Sequence, residues 1–192
     1  MGLITDRNPE TQISANNVDH ERLVVRRIDL VDSDGVIRMT LAGELPNPVV
    51  DGIEYERSSV ISGIMLRDDS GNERGGFGYN ERLGGPVLAL DHDTAEGVGM
   101  ALRQDGEAFM WVGERPEPLT HPSLPGRTLP GSESPSDMTM RIGPDGNQSI
   151  ALTDGSGQTR LRLTVTESGY GAIEFLNSDG EVIETFAPEA QN

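Results

Sequence analysis

Short turn signals recur along this chain and constrain its fold more than any other feature. Asp-Gly occurs at 34–35, 51–52, 105–106, 145–146, 154–155 and 179–180, and the Ser-Gly sites include 70–71 and 156–157. These dipeptides suit two-residue hairpin turns, because both central residues need a positive φ. No window shows the 3.6-residue apolar stripe of a helix. The sequence therefore predicts an all-β antiparallel meander of about 10–12 short strands, built from repeated Asp-Gly hairpins and closing as a barrel or sandwich.

The apolar runs between these turns give the strand positions. The alternating segment is clearest where Leu161, Leu163 and Val165 alternate with polar residues, which predicts one buried and one solvent-facing side. The predicted strands are 22–31, 36–42, 60–67, 73–79, 86–91, 97–103, 107–113, 138–142, 147–153, 158–166, 170–177 and 181–186.

The chain divides into one β domain and two terminal segments. We expect a flexible arm at 1–20, a single domain at 21–186 and a short tail at 187–192. Pro46 and Pro48 remove ladder donors and indicate a loop at 43–58. The segment 114–136 holds six of the 12 prolines. It predicts a long loop across one continuous sheet, or else a boundary between a seven-strand and a five-strand portion.

An internal repeat of the form L-x-D-x-x-G-x-x-R-x-x-[LF] accompanies three of the turns. We expect the Asp to cap turn amides, the Gly to take the left-handed conformation and the Arg to return beside the Asp. The two apolar positions should supply the core. A fourth copy keeps Asn177 and Gly180 but has Ile183 in place of Arg. The three full copies place these turn residues at Asp32, Gly35 and Arg38, at Asp68, Gly71 and Arg74, and at Asp154, Gly157 and Arg160.

Calcium binding is a second interpretation of the same aspartates. Asp32 and Asp34 concentrate oxygen ligands at one turn, as Asp68 does at another, but the spacing fails the EF-hand pattern and each repeat Arg competes for the carboxylate. Asp91 and Asp93, which flank His92, form a further candidate pair. We expect no metal site and no cofactor.

Two segments of the chain resemble motifs of a known group of proteins. Residues 48–55 read Pro-Val-Val-Asp-Gly-Ile-Glu-Tyr, and residues 68–76 follow the pattern D-x-x-G-x-E-x-G-G. Both are similar to motifs of an uncharacterised family of β-rich bacterial proteins with further Asp-Gly hairpins downstream. The resemblance covers roughly 22–186 and implies a β-rich fold, without an activity or catalytic residues.

Two constellations could carry chemistry. Glu54 and Glu56 lie on one side of an extended segment and, with Glu73 or Asp68, could pair for general acid and base work. His92 could transfer protons beside its two aspartates. Solvated surface positions and a solvated turn explain both patterns more simply, because the chain has 32 acidic residues. The sequence contains neither a phosphate-binding loop nor a serine nucleophile elbow.

Charge narrows the range of partners. The formal net charge is −17, and all 15 basic residues are Arg. Such a surface repels polyphosphates, so we expect no binding to nucleic acid. No apolar run reaches the length of a membrane span, so we expect no membrane insertion. The start lacks an export signal, which favours a cytoplasmic location and leaves export open. With no cysteine, the chain has neither disulfides nor thiolate-bound metals.

The lean hydrophobic content suggests a function. Hydrophobic residues make up 34% of the chain and aromatic residues 4%, so burial against another copy would add stability and we expect a homo-oligomer. The leading interpretation is a non-catalytic structural or self-associating hairpin-repeat protein. The alternatives are a small-molecule enzyme or binder with a carboxylate-lined barrel pocket, and a calcium-stabilised carbohydrate-binding or adhesion module.

Overall fold

The computed structural model describes residues 22–93, 96–113 and 137–188. These residues form strands and turns but no helix, and so none of them belongs to a helix that could cross a membrane. The strands are β1 (Arg27–Val31), β2 (Ile37–Ala42), β3 (Val49–Val50), β4 (Ile53–Glu54), β5 (Ile61–Arg67), β6 (Glu73–Asn80), β7 (Gly85–Asp91), β8 (Glu96–Leu102), β9 (Ala108–Val112), β10 (Met138–Ile142), β11 (Gln148–Thr153), β12 (Thr159–Val165), β13 (Gly171–Leu176) and β14 (Val182–Phe186).

Twelve of these strands form one antiparallel sheet in which each strand pairs with the next. The order is β1-β2-β5-β6-β7-β8-β9-β10-β11-β12-β13-β14, while β3 and β4 form a separate hairpin. The predicted all-β meander is confirmed. Its strands lie within two residues of the predicted bounds, except that β1 begins at Arg27 rather than at residue 22. The expected arm 1–20, the segment 114–136 and most of the tail lie outside the described residues.

The prediction that the sheet closes as a barrel is wrong. Among the described residues, β1 and β14 each pair with one strand and form the two edges of an open sheet. The sheet strands do not form the second layer that a sandwich would require. Nearly every connection is a tight hairpin turn that places each strand beside the strand before it in the chain. Even across 114–136, β9 and β10 pair directly, with Met110 opposite Met140.

The tips differ from the two-residue turns that the sequence suggested. At residues 68–71, the N–H of Gly71 donates to the carbonyl of Asp68 at 3.2 Å, and the N–H of Asp68 donates to the carbonyl of Asn72 at 3.0 Å. This is a four-residue tip in which Gly71 alone has a positive φ, of 84°. The same hydrogen bonds occur at 32–35, 103–106, 143–146, 154–157, 166–169 and 177–180. The two-residue form occurs at Asp51 and Gly52, whose φ values are 48° and 75°.

The segment 43–60 packs on one side of the sheet and forms its most buried region. It was expected to be a loop, but Asp51 and Gly52 turn the chain so that β3 and β4 pair. Tyr55 from this segment is 1% exposed, and Met65 of β5, at 0%, lies in the main apolar cluster together with Ala42 and Leu45. The core of the described chain is therefore small and lies near β2 and β5.

Candidate functional site

The sheet has two chemically different faces. Because opposed residues in antiparallel strands share a face, the strand pairing defines a central row of twelve side chains that crosses every strand of the sheet. All twelve are apolar: Ile28, Leu41, Ile64, Phe77, Leu88, Met100, Met110, Met140, Ile150, Leu163, Ile173 and Phe186. We call the side of the sheet that carries this row the apolar face.

A second row on the apolar face has nearly the same composition. It runs from Leu30 to Glu184 and is apolar or glycine at every position except Glu184, on the last strand. Its members are Leu30, Met39, Leu66, Gly75, Leu90, Val98, Val112, Met138, Leu152, Leu161, Phe175 and Glu184. One charge in two complete rows is unusual for a chain of net charge −17.

Solvent reaches this apolar face in the described structure. No member of the central row is buried, and the exposed fraction is 54% at Phe77 and 40% at both Met110 and Met140. Isolated exposed apolar residues are normal, but a contiguous patch that crosses a whole sheet indicates an interaction surface.

The repeat residues that were expected to supply the core lie on this exposed face. Leu30, Leu66 and Leu152 belong to the second row, and Leu41, Phe77 and Leu163 belong to the central row. In β12 the predicted alternation holds, but Leu163 and Val165 are 37% and 46% exposed instead of buried. The expectation of a core was wrong because no described layer covers this side of the sheet.

The apolar face is concave between β6 and β12. There it lines a trough of about 690 Å³. The residues that line the trough include Phe77, Met100, Met110, Met140 and Leu163 of the central row. Three methionines in adjacent strands give the floor of this trough flexible, polarisable side chains that adapt to different partners.

The opposite face is covered or polar. Thr40 and Met65 are fully buried beside the 43–60 segment, and the ring of Trp111 lies over Gly99, where a Cβ atom would clash with it. Towards β13 this face carries ion pairs such as Arg162 with Glu174, at 2.7 Å. Among the described residues, the apolar face is therefore the less covered and the less polar of the two sides.

The repeat aspartates act within their own hairpin tips. Asp68 Oδ1 accepts hydrogen bonds from the N–H groups of Ser70 and Asn72, both at 2.9 Å, and Arg74 Nη2 lies 2.6 Å from Asp68 Oδ2. Partial desolvation opposes the charged form of Asp68, but the hydrogen bonds from Asn72 and Arg74 outweigh it and lower its pKa. Arg38 and Arg160 contact Asp32 and Asp154 in the same way, at 3.3 Å and 2.6 Å.

These tips do not provide a metal site among the described residues. In that part of the chain, no group of three or more His, Asp or Glu residues is arranged to hold a metal ion. Asp32 instead accepts hydrogen bonds from the N–H groups of Asp34 and Val36, and the Val36 bond is the main reason why its pKa is lowered. The carboxylates are engaged in capping the turns.

The candidate catalytic carboxylates do not all line the same cavity. Glu54 and Glu56 are both exposed and line a cavity beside the β3–β4 hairpin, while Tyr55 between them points inward. Glu54 accepts a hydrogen bond from Asn47 Nδ2 at 3.0 Å. Neither Glu73 nor Asp68 lines that cavity. His92 lies elsewhere, with its Nε2 3.3 Å from the carbonyl of Gly113.

An acidic cluster lies where β6 and β8 begin and β7 ends, with Glu73 and Asp91 partly buried and Glu96 exposed at its margin. Arg57 Nη2 contacts Glu73 Oε2 at 2.8 Å, and Asp91 Oδ1 is buried without a hydrogen-bond partner among the described residues. Burial raises the pKa of Asp91 to about 7, and the charges of Glu73 and Glu96 add to the shift. Desolvation also raises the pKa values of Glu73 and Glu96.

The sequence indicated only part of this cluster. Glu73 and Asp91 were candidates for separate sites, Asp93 follows β7, and Glu96 was not identified at all. A signal did exist, since Asp91 ends the predicted strand 86–91 and Glu96 immediately precedes the predicted strand 97–103. Their opposition depends on a register shift between Leu90 and Asp91, which a single sequence does not reveal.

Comparison with known proteins identified no family for this chain. No family model matches this chain, and no curated protein shows a significant match to it.

Proposed function

We propose that this protein is a structural, self-associating β-sheet protein, and that the apolar face is where one copy binds another. The observation that carries the proposal is the central row, in which all twelve strands present an apolar side chain and none of the twelve is buried. An evolved soluble chain that left this surface in water would forgo most of its available hydrophobic stabilisation.

The size of the face supports a second copy as the partner. Twelve strands spaced about 4.8 Å apart, each with about five residues rising 3.3 Å, make a face of roughly 58 by 17 Å, or about 1,000 Å². A stable interface typically buries about 800 Å² on each partner. The apolar face is thus large enough for a stable dimer.

The distribution of charge also supports the apolar face as the surface of self-association. The two rows carry one charged residue, Glu184 at the edge, while the whole chain carries −17. Charge depleted at the centre of a patch and retained around it is typical of protein interfaces. Repulsion between two chains of this charge is screened by salt, so added salt should strengthen association.

The test is the mass in solution of wild-type and two variants. We expect sedimentation across micromolar concentrations to show reversible association of the wild-type chain. Met110→Glu places a carboxylate at the centre of the apolar face and should weaken association at least about tenfold. Ser149→Glu places the same charge on the opposite face, across from Arg141, and should leave association unchanged.

Both substitutions are at positions that are not buried, and circular dichroism reports whether the fold is retained. A wild-type chain that is monomeric at every concentration and salt level would overturn the proposal. So would equal association of wild-type and Met110→Glu. A monomer that carries an apolar small molecule, detected by mass spectrometry of an organic extract, would instead assign the trough to a ligand.

A further inference from the structure

The two edges of the sheet are a second interaction surface, separate from the apolar face. Among the described residues, β1 pairs only with β2, and β14 pairs only with β13. Every residue of β14 is exposed, including Ile183 at 66%. An unpaired edge presents a line of free backbone N–H and C=O groups that can pair with another strand.

The even number of strands determines which two edges can pair between copies. Because the sheet contains twelve antiparallel strands, β1 and β14 run in opposite directions. When a second copy is placed beside the first by translation without rotation, its β1 lies next to β14 of the first copy. These two strands are then antiparallel. We propose that β14 of one copy pairs with β1 of the next, so that the meander continues from chain to chain.

The side-chain pattern selects a register for this pairing. With Phe186 opposite Ile28 of the next copy, the central row continues across the junction without interruption. The second row then places Glu184 opposite Leu30 of the next copy. A slip by one residue would put Ile28 opposite Thr185, whose side chain lies on the other face.

Local charge favours unlike edges over like edges. Glu184 is the one charged residue of β14, and its side chain lies on the apolar face. An antiparallel pair of two β14 strands that keeps the apolar faces on one side would place two glutamates opposite each other, whereas the proposed register places Glu184 opposite Leu30 of the next copy. Like charges directly opposed across two strands are destabilising, so this difference favours the unlike edges.

The contact is heterologous, because it joins two different surfaces. Heterologous contacts that do not close into a ring produce open filaments. Each added copy extends the sheet by twelve strands, or roughly 58 Å. The edges use backbone groups and leave the apolar face free, so this contact does not depend on the proposed function and can combine with it.

Disulfide trapping tests the pairing, because the chain contains no cysteine of its own. Directly opposed residues on antiparallel strands have Cα atoms about 4.5–5.5 Å apart, within the range that a disulfide spans. A chain with both Ile28→Cys and Phe186→Cys should give a ladder of covalent dimers, trimers and longer species under mild oxidation. Either single substitution should give dimers at most.

A matched control checks the register. The pair Ile28→Cys and Thr185→Cys places the two thiols on opposite faces, so we expect at least about a tenfold lower yield of the ladder. Equal yields from the two pairs would overturn the register. An internal disulfide in a monomer would overturn the pairing, because it would show that the chain closes on itself.

The same experiment in a Met110→Glu background separates the two contacts. A ladder that persists there supports the edge pairing without the apolar face. A ladder that disappears there arises from face-to-face contact, and the edge inference fails. If Met110→Glu leaves the mass of the cysteine-free chain unchanged while the ladder still forms, the edge pairing stands and the proposed function fails.

Discussion

Arg57 Nη2 lies 2.8 Å from Glu73 Oε2, and this contact joins the segment that carries β3 and β4 to strand β6 of the main sheet. Both side chains are mostly buried, at 13% and 15% exposure. Arg57 also donates through Nε to the carbonyl of Pro46 at 3.0 Å. The positive charge of Arg57 acts on two carboxylates whose pKa values are raised, those of Glu73 and Asp91.

Removing the cation should therefore destabilise the fold more than removing its partner. Arg57→Gln removes the nearest cation from Glu73 and a favourable charge from Asp91, and it should lower the free energy of unfolding by about 2–3 kcal/mol at pH 8. Glu73→Gln also relieves repulsion and desolvation, so it should cost less than about 1 kcal/mol. Urea denaturation of both variants checks this order, and a larger loss for Glu73→Gln would contradict it.

Asp91 predicts a dependence of stability on pH. Its folded-state pKa of about 7 lies above the ordinary value of 3.8. Between those values the folded state holds a proton that the unfolded state has lost, so the free energy of unfolding falls as pH rises from about 4 to 7. Asp91→Asn removes this penalty and should be more stable than wild type by up to about 4 kcal/mol at pH 8, but not at pH 4.

Denaturant unfolding at both pH values gives the difference. The other ionisable groups are present in both chains, so their contribution cancels in this difference. The tip aspartates have lowered pKa values, and their stabilising contribution is lost only as pH falls below the normal aspartate range. If the two chains respond alike from pH 4 to 8, Asp91 does not carry the predicted penalty.

The turn cap at Asp68 can be separated from its ion pair. Asp68→Ala removes the acceptor for the N–H groups of Ser70 and Asn72 and should destabilise the protein by about 1–2 kcal/mol. Asp68→Asn keeps that acceptor and loses the charged contact with Arg74 and the longer hydrogen bond from Asn72 Nδ2, so it should cost less than half as much. Thermal unfolding of the pair measures both.

The fourth repeat copy is a natural precedent for this result. Asn177 accepts hydrogen bonds from the N–H groups of Asp179 and Glu181, both at 2.9 Å, without an Arg across the tip. If Asp68→Asn were as destabilising as Asp68→Ala, the ion pair would be the main contribution and the cap a minor one.

Two glycines of the tips should respond oppositely to alanine. Gly35 has a φ of 81°, and no atom lies within 4 Å of the point where an alanine Cβ would stand, so Gly35→Ala should lose about 1 kcal/mol through backbone strain alone. Gly155 is equally open but has no positive φ. Gly155→Ala should be neutral or stabilising by up to about 0.5 kcal/mol. Equal losses in thermal unfolding would show that φ is not the cause.

The sequence predicts local features of this protein well. Strand positions and the alternation in β12 follow from side-chain periodicity, which the turn glycines punctuate. Closure was wrong because it depends on whether β1 meets β14, and no local pattern encodes that distance. The same limit applies to burial, since the side chain of Leu163 points to the predicted side but its exposure depends on whether another layer lies above it.

The candidate surfaces were predictable only in part. Self-association was expected from composition, but the central row emerges only when the registers of all eleven strand pairs are known. The pairing of Asp91 with Glu96 required a register shift that the sequence does not show. The β3–β4 hairpin was missed because Pro46 and Pro48 outweighed one Asp-Gly turn.

The strict neighbour-to-neighbour order of the sheet has a consequence for how the chain folds. Each strand contacts only the strands that precede and follow it in the sheet, so most contacts form between segments close in sequence. Folding can then start at any hairpin and spread in both directions, as in a one-dimensional array. The junction of β9 with β10, which joins strands 25 residues apart, closes the longest loop in the sheet and is where this propagation should be slowest.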